Sequence, residues 1–325
     1  MRTKLLCAMI SVIFALGTIS PTFGWHDEGH KITGYIAWQL MTPQTREAVI
    51  KILRTAPEDS DLATFYPIFG IEPVETRNME YFMFVPTWAD LVRERSFPVR
   101  NRNYHHTNWH YDDTFWREVN GKPEVLPEME EGGQALTQLA EAEKTMRDPK
   151  AKPVEKAIAL AWFLHMAGDI HQPLHNSARV TDFAPKGDQG GNLFLLTPEN
   201  TPPAKRLNLH TYWDGITSRS VPLKNGQCVR NYLVALGDRF IKKHPFQEFS
   251  SDLQIGQYRK WHENGLELAM TVVFSPDLKR FEMPSKKYQK KAFETAERQI
   301  ALAGYRIGET LNNIFGAKAM PTAPN

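Results

Sequence analysis

With 325 residues, 42% of them hydrophobic and 23% charged, the chain can bury a substantial core, which excludes a disordered polymer and leaves one large domain or two smaller ones. A formal net charge of +2 excludes a broad basic surface for long-range capture of nucleic acid, so any preference for anions must be local. Neither number names a substrate.

In chain order, residues 1–24 set Arg2 and Lys4 ahead of the apolar run LLCAMISVIFALG and the pattern Thr22-Phe23-Gly24. That is the layout of a secretory signal, and cleavage after Gly24 would expose Trp25 as the mature terminus. The run is too short for a membrane span, and no later segment offers about eighteen uninterrupted apolar residues. The expected product is soluble, periplasmic or secreted, with no membrane attachment after processing. Only Cys7 and Cys228 occur. Loss of the signal leaves Cys228 without an intramolecular partner, and with no base nearby in sequence it reads as a packed thiol.

Beyond Trp25 the pattern is mainly helical. Helices are expected over Asp27–Leu40, from the N-cap candidate and first-turn proline Thr42-Pro43, and over 133–146, 154–170, 231–242, 258–274 and 286–314. The segment 185–203, rich in Gly and Pro around a strand-like run at 192–196, is expected as a loop or hairpin. In the last helix Phe293, Ile300, Tyr305 and Leu311 form a stripe that should pack on the body, with KKYQKK on the solvated side. Residues 317–325 form a mobile tail with little to anchor it. No repeat or linker divides the chain. The expected architecture is all-α, a single mainly helical domain over 25–316 with a small hairpin or loop insertion.

Chemistry concentrates in FLHMAGDIHQPLH, residues 163–175. The apolar run before it marks a helix enclosed by protein, where an unpaired carboxylate is costly and is usually neutralised by a cation or a metal. His165 and Asp169, four apart, project from one helix face, and Pro173 should end the helix and leave His175 on the exit segment. A lone His-x3-Asp pair is more often a hydrogen-bonded core pair than a ligand set, so further ligands are needed. They occur in WHDEGH at 25–30, WAD at 88–90, NWHYDD at 108–113 and NLHTYWD at 208–214. Zinc favours imidazole nitrogen and carboxylate oxygen, and these candidates are too many for one ion. A multinuclear site, which can clamp the attacking and leaving oxygens of a phosphate ester together, would use them.

This set resembles the zinc-dependent family of fungal single-strand nucleases and plant bifunctional nucleases, related to bacterial phospholipase C, over the mature chain to about residue 214. The resemblance implies three zinc ions. Asp90, His110, His165 and a bridging Asp169 would hold the first; His175, His210 and Asp214 the second. Trp25, through its freed amine and its carbonyl, would join His30 and Asp169 on the third. It further implies a hydroxide between the first and third ions as nucleophile, Asp90 orienting the water and Arg93 contacting the phosphate. The substrates would be single-stranded DNA, RNA and 3′-nucleotides, and the products would carry 5′ phosphate; no stable protein partner is implied.

Base recognition in that family maps onto Tyr111, Asp113 and Asn192, the last in GDQGGN. Asp112 stands where the family more usually has an apolar residue, so the choice between Asp112 and Asp113 for the acid position stays open. The lack of a disulfide and of any N-x-S/T acceptor also departs from the fungal and plant members. His105 and His106 read as loop or supporting residues, and His171 as one that packs or orients a ligand. A phospholipase C acting on lipid headgroups is the nearest rival, although its last ligand pair is normally His-x3-Glu and not His210-x3-Asp214. A non-catalytic periplasmic zinc-binding protein is the other.

Overall fold

The computed structural model describes residues 25–68, 71–130 and 132–316, so the expected signal and tail lie outside the described residues. Helix α1 (Asp27–Leu40) is followed by α2 (Pro43–Leu53), and Thr42 caps α2 by accepting a hydrogen bond from Thr45 N at 3.1 Å. Next, α3 (Val74–Phe84) leads through a 3-10 turn at Val85–Thr87 into the one-turn α4 (Trp88–Leu91), and α5 (Pro98–Tyr104) follows. After the first three strands of a small sheet come α6 (Ala135–Arg147) and α7 (Pro153–Asp169), and after its fourth strand α8 (Leu209–Asp214), α9 (Ile216–Ser220), α10 (Val229–Lys243), α11 (Tyr258–Leu268) and α12 (Lys286–Phe315). The fold is a single, mainly helical domain. No described helix is long and apolar enough to cross a membrane.

The sheet centres on β1 (Asp112–Val119), paired antiparallel with β2 (Lys122–Val125) and β3 (Gly132–Gly133) and parallel with β4 (Ser177–Arg179). Asn120 and Gly121, both at positive φ (52° and 74°), make the two-residue turn whose twist suits a right-handed hairpin. The antiparallel hairpin lies at 112–125, and of the two forms expected for 185–203, loop or hairpin, the segment takes the loop. There the strand-like run gives one isolated bridge, Leu195 to Asn208, among turns. The helix expected to reach residue 274 ends at Leu268 and continues as a wider π turn over Ala269–Val273.

Two apolar clusters form the interior. One gathers α2, α3, α6 and α7 around Trp38, Trp88 and Trp162; the other gathers α8, α10 and the inner faces of α1 and α12 around Trp25, Trp213 and Phe240. Ile300, Tyr305 and Leu311 are buried as their stripe requires, with Phe293 half-buried at its end. Helices α1 and α12 cross closely because Gly304 has no side chain: a Cβ there would fall 2.6 Å from Ile36 Cβ. The segments rich in His and Asp lie along the seam between the two clusters.

Candidate metal centre

The last two turns of α7 carry His165 and Asp169 one above the other, both fully buried. Enclosure on every side suits its sequence, which is apolar around the whole circumference from Ala157 to Leu164. The helix stops at Asp169, and Pro173 begins a 3-10 turn, Pro173–Asn176, that turns His175 back toward the helix end. His30 enters from α1, Asp90 from α4, His110 from the turn before β1, and His210 and Asp214 from α8.

These residues meet. Asp169 presents its oxygens in two directions, Oδ1 lying 3.1 Å from His30 Nε2, and Oδ2 2.9 Å from His165 Nε2 and 3.1 Å from His110 Nδ1. Asp90 Oδ1 stands 3.9 Å from His165 Nε2 and 4.0 Å from His110 Nδ1. A second group adjoins, with His175 Nε2 4.0 Å from Asp214 Oδ1 and His210 Nε2 3.5 Å from Asp214 Oδ2. Among the described residues, three sets have ligand atoms close enough for one ion each: His30, Asp90 and His165; His110, His165 and Asp169; and His175, His210 and Asp214.

The imidazoles are oriented by main-chain carbonyls. His165 Nδ1 donates to Pro86 O at 2.6 Å, His175 Nδ1 to His110 O at 2.6 Å, and His210 Nδ1 to Gly190 O at 2.7 Å. Each carbonyl accepts a proton on Nδ1, which leaves Nε2 as a lone pair directed inward. Space is arranged to match: a Cβ on Gly168 would sit 2.8 Å from His30 Nδ1, so only glycine lets that ring lie against α7, stacked on His165 at 4.3 Å. Trp162 supports His110 from below, ring centroids 5.4 Å apart.

Burial shapes the proton affinities. It holds His110 well below the usual imidazole range, with the Arg93 charge adding to the effect, and it lowers His175 and brings His210 to about 3. Burial would also lower His165, but the Asp169 and Asp90 carboxylates outweigh it and raise that group. Asp169 shows the mirror case: burial disfavours its charge, yet His165, His175 and the hydrogen bond from His110 hold it well below the carboxylate range. Asp214 is pushed well above that range by burial, then by Asp169 and Asp90, against one hydrogen bond from Gln172.

Donor chemistry fits a cation. Among the described residues, His30 Nε2, His175 Nε2, Asp169 Oδ1 and Asp214 Oδ2 are buried polar atoms with no hydrogen-bond partner. Leaving such atoms unpaired costs each of them roughly 1–3 kcal/mol, and convergent lone pairs with no proton to share are resolved by a metal.

Trp25 is fully buried, and His26 N donates to Asp214 O at 3.0 Å, so the start of the described chain is tied to the second group. Arg93 NH2 pairs with Asp90 Oδ1 at 2.9 Å at the partly open side. Behind them Arg100 NH2 donates to Leu91 O, and Asn101 Nδ2 to Val92 O and Arg93 O, closing the end of the short α4. Asp112 is committed to structure, accepting from Leu136 N in the first turn of α6. Asp113 faces the other side of β1 beside Tyr111, both near Gly132. Asn192 donates to Gln189 O at 2.8 Å and accepts from Asn208 at 3.3 Å.

Three supporting residues escaped the sequence reading. Gln172, fully buried, donates to Asp214 Oδ1 at 2.8 Å; its place in HQPLH was its only signal. Asn208 caps α8 by accepting from Thr211 N at 2.7 Å, which the N-cap pattern ahead of LHTYWD could have revealed. Asp188, in GDQGGN, faces Asp113 closely enough to raise that carboxyl's pKa. His171 bonds the Ala167 carbonyl and Arg306, His106 stacks on Trp109 at 3.8 Å, and His105 reaches Thr107. None of these three joins the centre.

A helical domain with clustered His and Asp at the seam of its core defines a class, and the S1/P1 nuclease family profile matches residues 25–316. The chain belongs to that family and is a nuclease, a hydrolase acting on nucleic acid. It is similar to Endonuclease 5 of Arabidopsis thaliana, 22% identical over 326 aligned positions that cover 95% of this chain and 97% of that protein.

Proposed function

We propose that the exported, processed chain is a zinc-dependent phosphodiesterase that hydrolyses RNA and single-stranded DNA to 5′-phosphorylated products and removes 3′ phosphate from nucleotides. The observation that carries this reading is the two-sided presentation of Asp169, one oxygen toward His30 and the other toward His165 and His110. Such a carboxylate can serve two ions. On this reading Asp90, His110, His165 and Asp169 hold one zinc, His175, His210 and Asp214 a second, and Trp25, His30 and Asp169 a third. Bound zinc supplies Lewis acidity that brings the pKa of water near 7 and stabilises the oxygens of a phosphate ester.

The side chains supply position. Asp90 orients the attacking water, and Arg93, held by Asp90 and by the clamped carbonyls of α4, meets a phosphate oxygen. Tyr111 offers a ring on which any base can stack, while Asp113 and Asn192 bond a base edge. Duplex DNA hides that edge, so single strands are preferred. Trp25 joins through its amine only after the residues ahead of it are removed, because an amide nitrogen is a poor ligand.

Elemental analysis of processed and unprocessed protein, with cleavage of matched single- and double-stranded oligonucleotides, tests this reading. Three zincs are expected in the processed form, one fewer with residues left ahead of Trp25, and faster cutting of the single strand. A processed protein without bound metal, equal cutting of the duplex, or faster cleavage of micellar phosphatidylcholine would overturn it.

A further inference from the structure

Phe183 is an aromatic side chain left 64% exposed, on the segment between β4 and the GDQGGN turns. The Arg280 guanidinium lies over its ring, 3.5 Å from the centroid, and 4.9 Å from the ring of Phe281. Arg280 is itself anchored, donating from NH2 to Leu193 O at 3.2 Å, and Phe281 N donates to Leu195 O at 2.7 Å. Phe281 is held at φ 65°, a left-handed conformation that costs a bulky residue energy and persists only where surroundings impose it. An ordered cation on an exposed ring, backed by a strained neighbour, is an unusual amount of organisation for a surface loop.

We infer that Phe183 and Arg280 form a stacking platform for a nucleobase of a single-stranded substrate beyond the cleaved pair of nucleotides. This inference rests on the proposed single-strand nuclease reading. The covered face of Phe183 is occupied by Arg280, and the exposure of the rest leaves the other face for a base. A guanidinium behind the ring adds positive charge for the neighbouring phosphate, and Lys186 and Lys279 lie exposed on the same two segments. Position agrees with substrate length. Gly190, whose carbonyl orients His210, is three residues from Leu193, a span of at most about 11 Å. The Arg280 guanidinium reaches that Leu193 carbonyl, so the platform stands a few nucleotides from His210. The contact is indifferent to base identity because every base has a π-face, and a base paired inside a duplex cannot reach it.

Steady-state kinetics of the zinc-loaded protein on a dodecamer of deoxyadenylate and on the dinucleotide test the platform, with Phe183→Ala and Phe183→Trp beside the parent. In Phe183→Ala the KM for the dodecamer should rise about 5- to 50-fold, with kcat within about twofold and the dinucleotide unaffected. Phe183→Trp should restore the parent KM. An unchanged dodecamer KM in Phe183→Ala, or a rise shared equally by the dinucleotide, overturns the platform alone. A parent that cleaves neither substrate overturns the nuclease reading and the platform together.

Discussion

The end of α7 and the wall made by β1 and the GDQGGN turns are joined through His175, bonded to the His110 carbonyl, and His210, bonded to the Gly190 carbonyl, but are built on opposite principles. At the helix end, His165 and Asp169 are fully buried, ride on a rigid helix, and join imidazoles pinned at Nδ1 by carbonyls. Along the wall, Tyr111, Asp113 and Asn192 are partly exposed, and the backbone turns through Gln189, Gly190 and Gly191, all at positive φ (55°, 61° and 81°). Ligand atoms need fixed geometry because small displacements change coordination. Residues that receive varied bases, the role proposed for these three, need a shaped surface with room to adjust. The contrast teaches that this fold spends its most rigid element on the charge that must not move.

The sharpest way to break that comparison is at Asp169. Asp169→Asn keeps the shape but halves the charge-bearing oxygens between His30 and His165, so two ions should be disturbed at once. Turnover on single-stranded DNA should fall on the order of a thousandfold or more, since several kcal/mol of charge stabilisation go with it. Elemental analysis of the same sample should show the metal loss; full occupancy with retained activity would defeat the bridging assignment.

Next in size is Gln172→Ala. Gln172 donates to Asp214 Oδ1 and accepts from Leu174 N at 2.7 Å, so it fixes both a carboxylate proposed as a ligand and the turn that carries His175. Removing such a partner typically lowers metal affinity about 10- to 100-fold. Competition with a zinc chelator should show one weakened site and two unchanged. Uniform weakening would mean that the residue supports the fold and not the second group.

The helix end was legible in sequence for the same reason that it is rigid. The spacing of His165 and Asp169 on an apolar background, and Pro173 after them, state both the burial and the exit of His175. The bounds of α1 were equally open, set between His26 and the Thr42-Pro43 step that restarts the chain as α2. The wall was harder. Asn120-Gly121 is a strong hairpin signal, yet DDTFWREV mixes charges with aromatics so that its alternation is blurred, and no hairpin was expected there. Helix α3, VETRNMEYFMF, was missed because its buried residues Tyr81, Phe82 and Met83 are consecutive and give no helical period. The carbonyls of Pro86, His110 and Gly190 were invisible, since every residue carries one and only the fold decides which faces a histidine.

The smallest effect belongs to Asp113, and it tests how open the wall is. Its carboxyl is pushed up to about 8 by burial, then by Asp188 and Asp112, against a main-chain hydrogen bond from Ser177. The unfolded chain releases this proton near pH 4, whereas the folded protein keeps it until about pH 8. Between those values the unfolded state binds fewer protons, so this group's contribution to stability is greatest below the unfolded pKa. It falls as pH rises and levels off above about 8. Asparagine cannot ionise. The melting temperature of Asp113→Asn should therefore match the parent near pH 4 and exceed it by a margin that grows as pH rises toward 8. Comparing parent and variant in the same buffer cancels any loss of metal common to both. Parallel curves across that range would mean that solvent reaches this partly exposed carboxyl freely enough to keep its charge hydrated, and that the wall is open at Asp113.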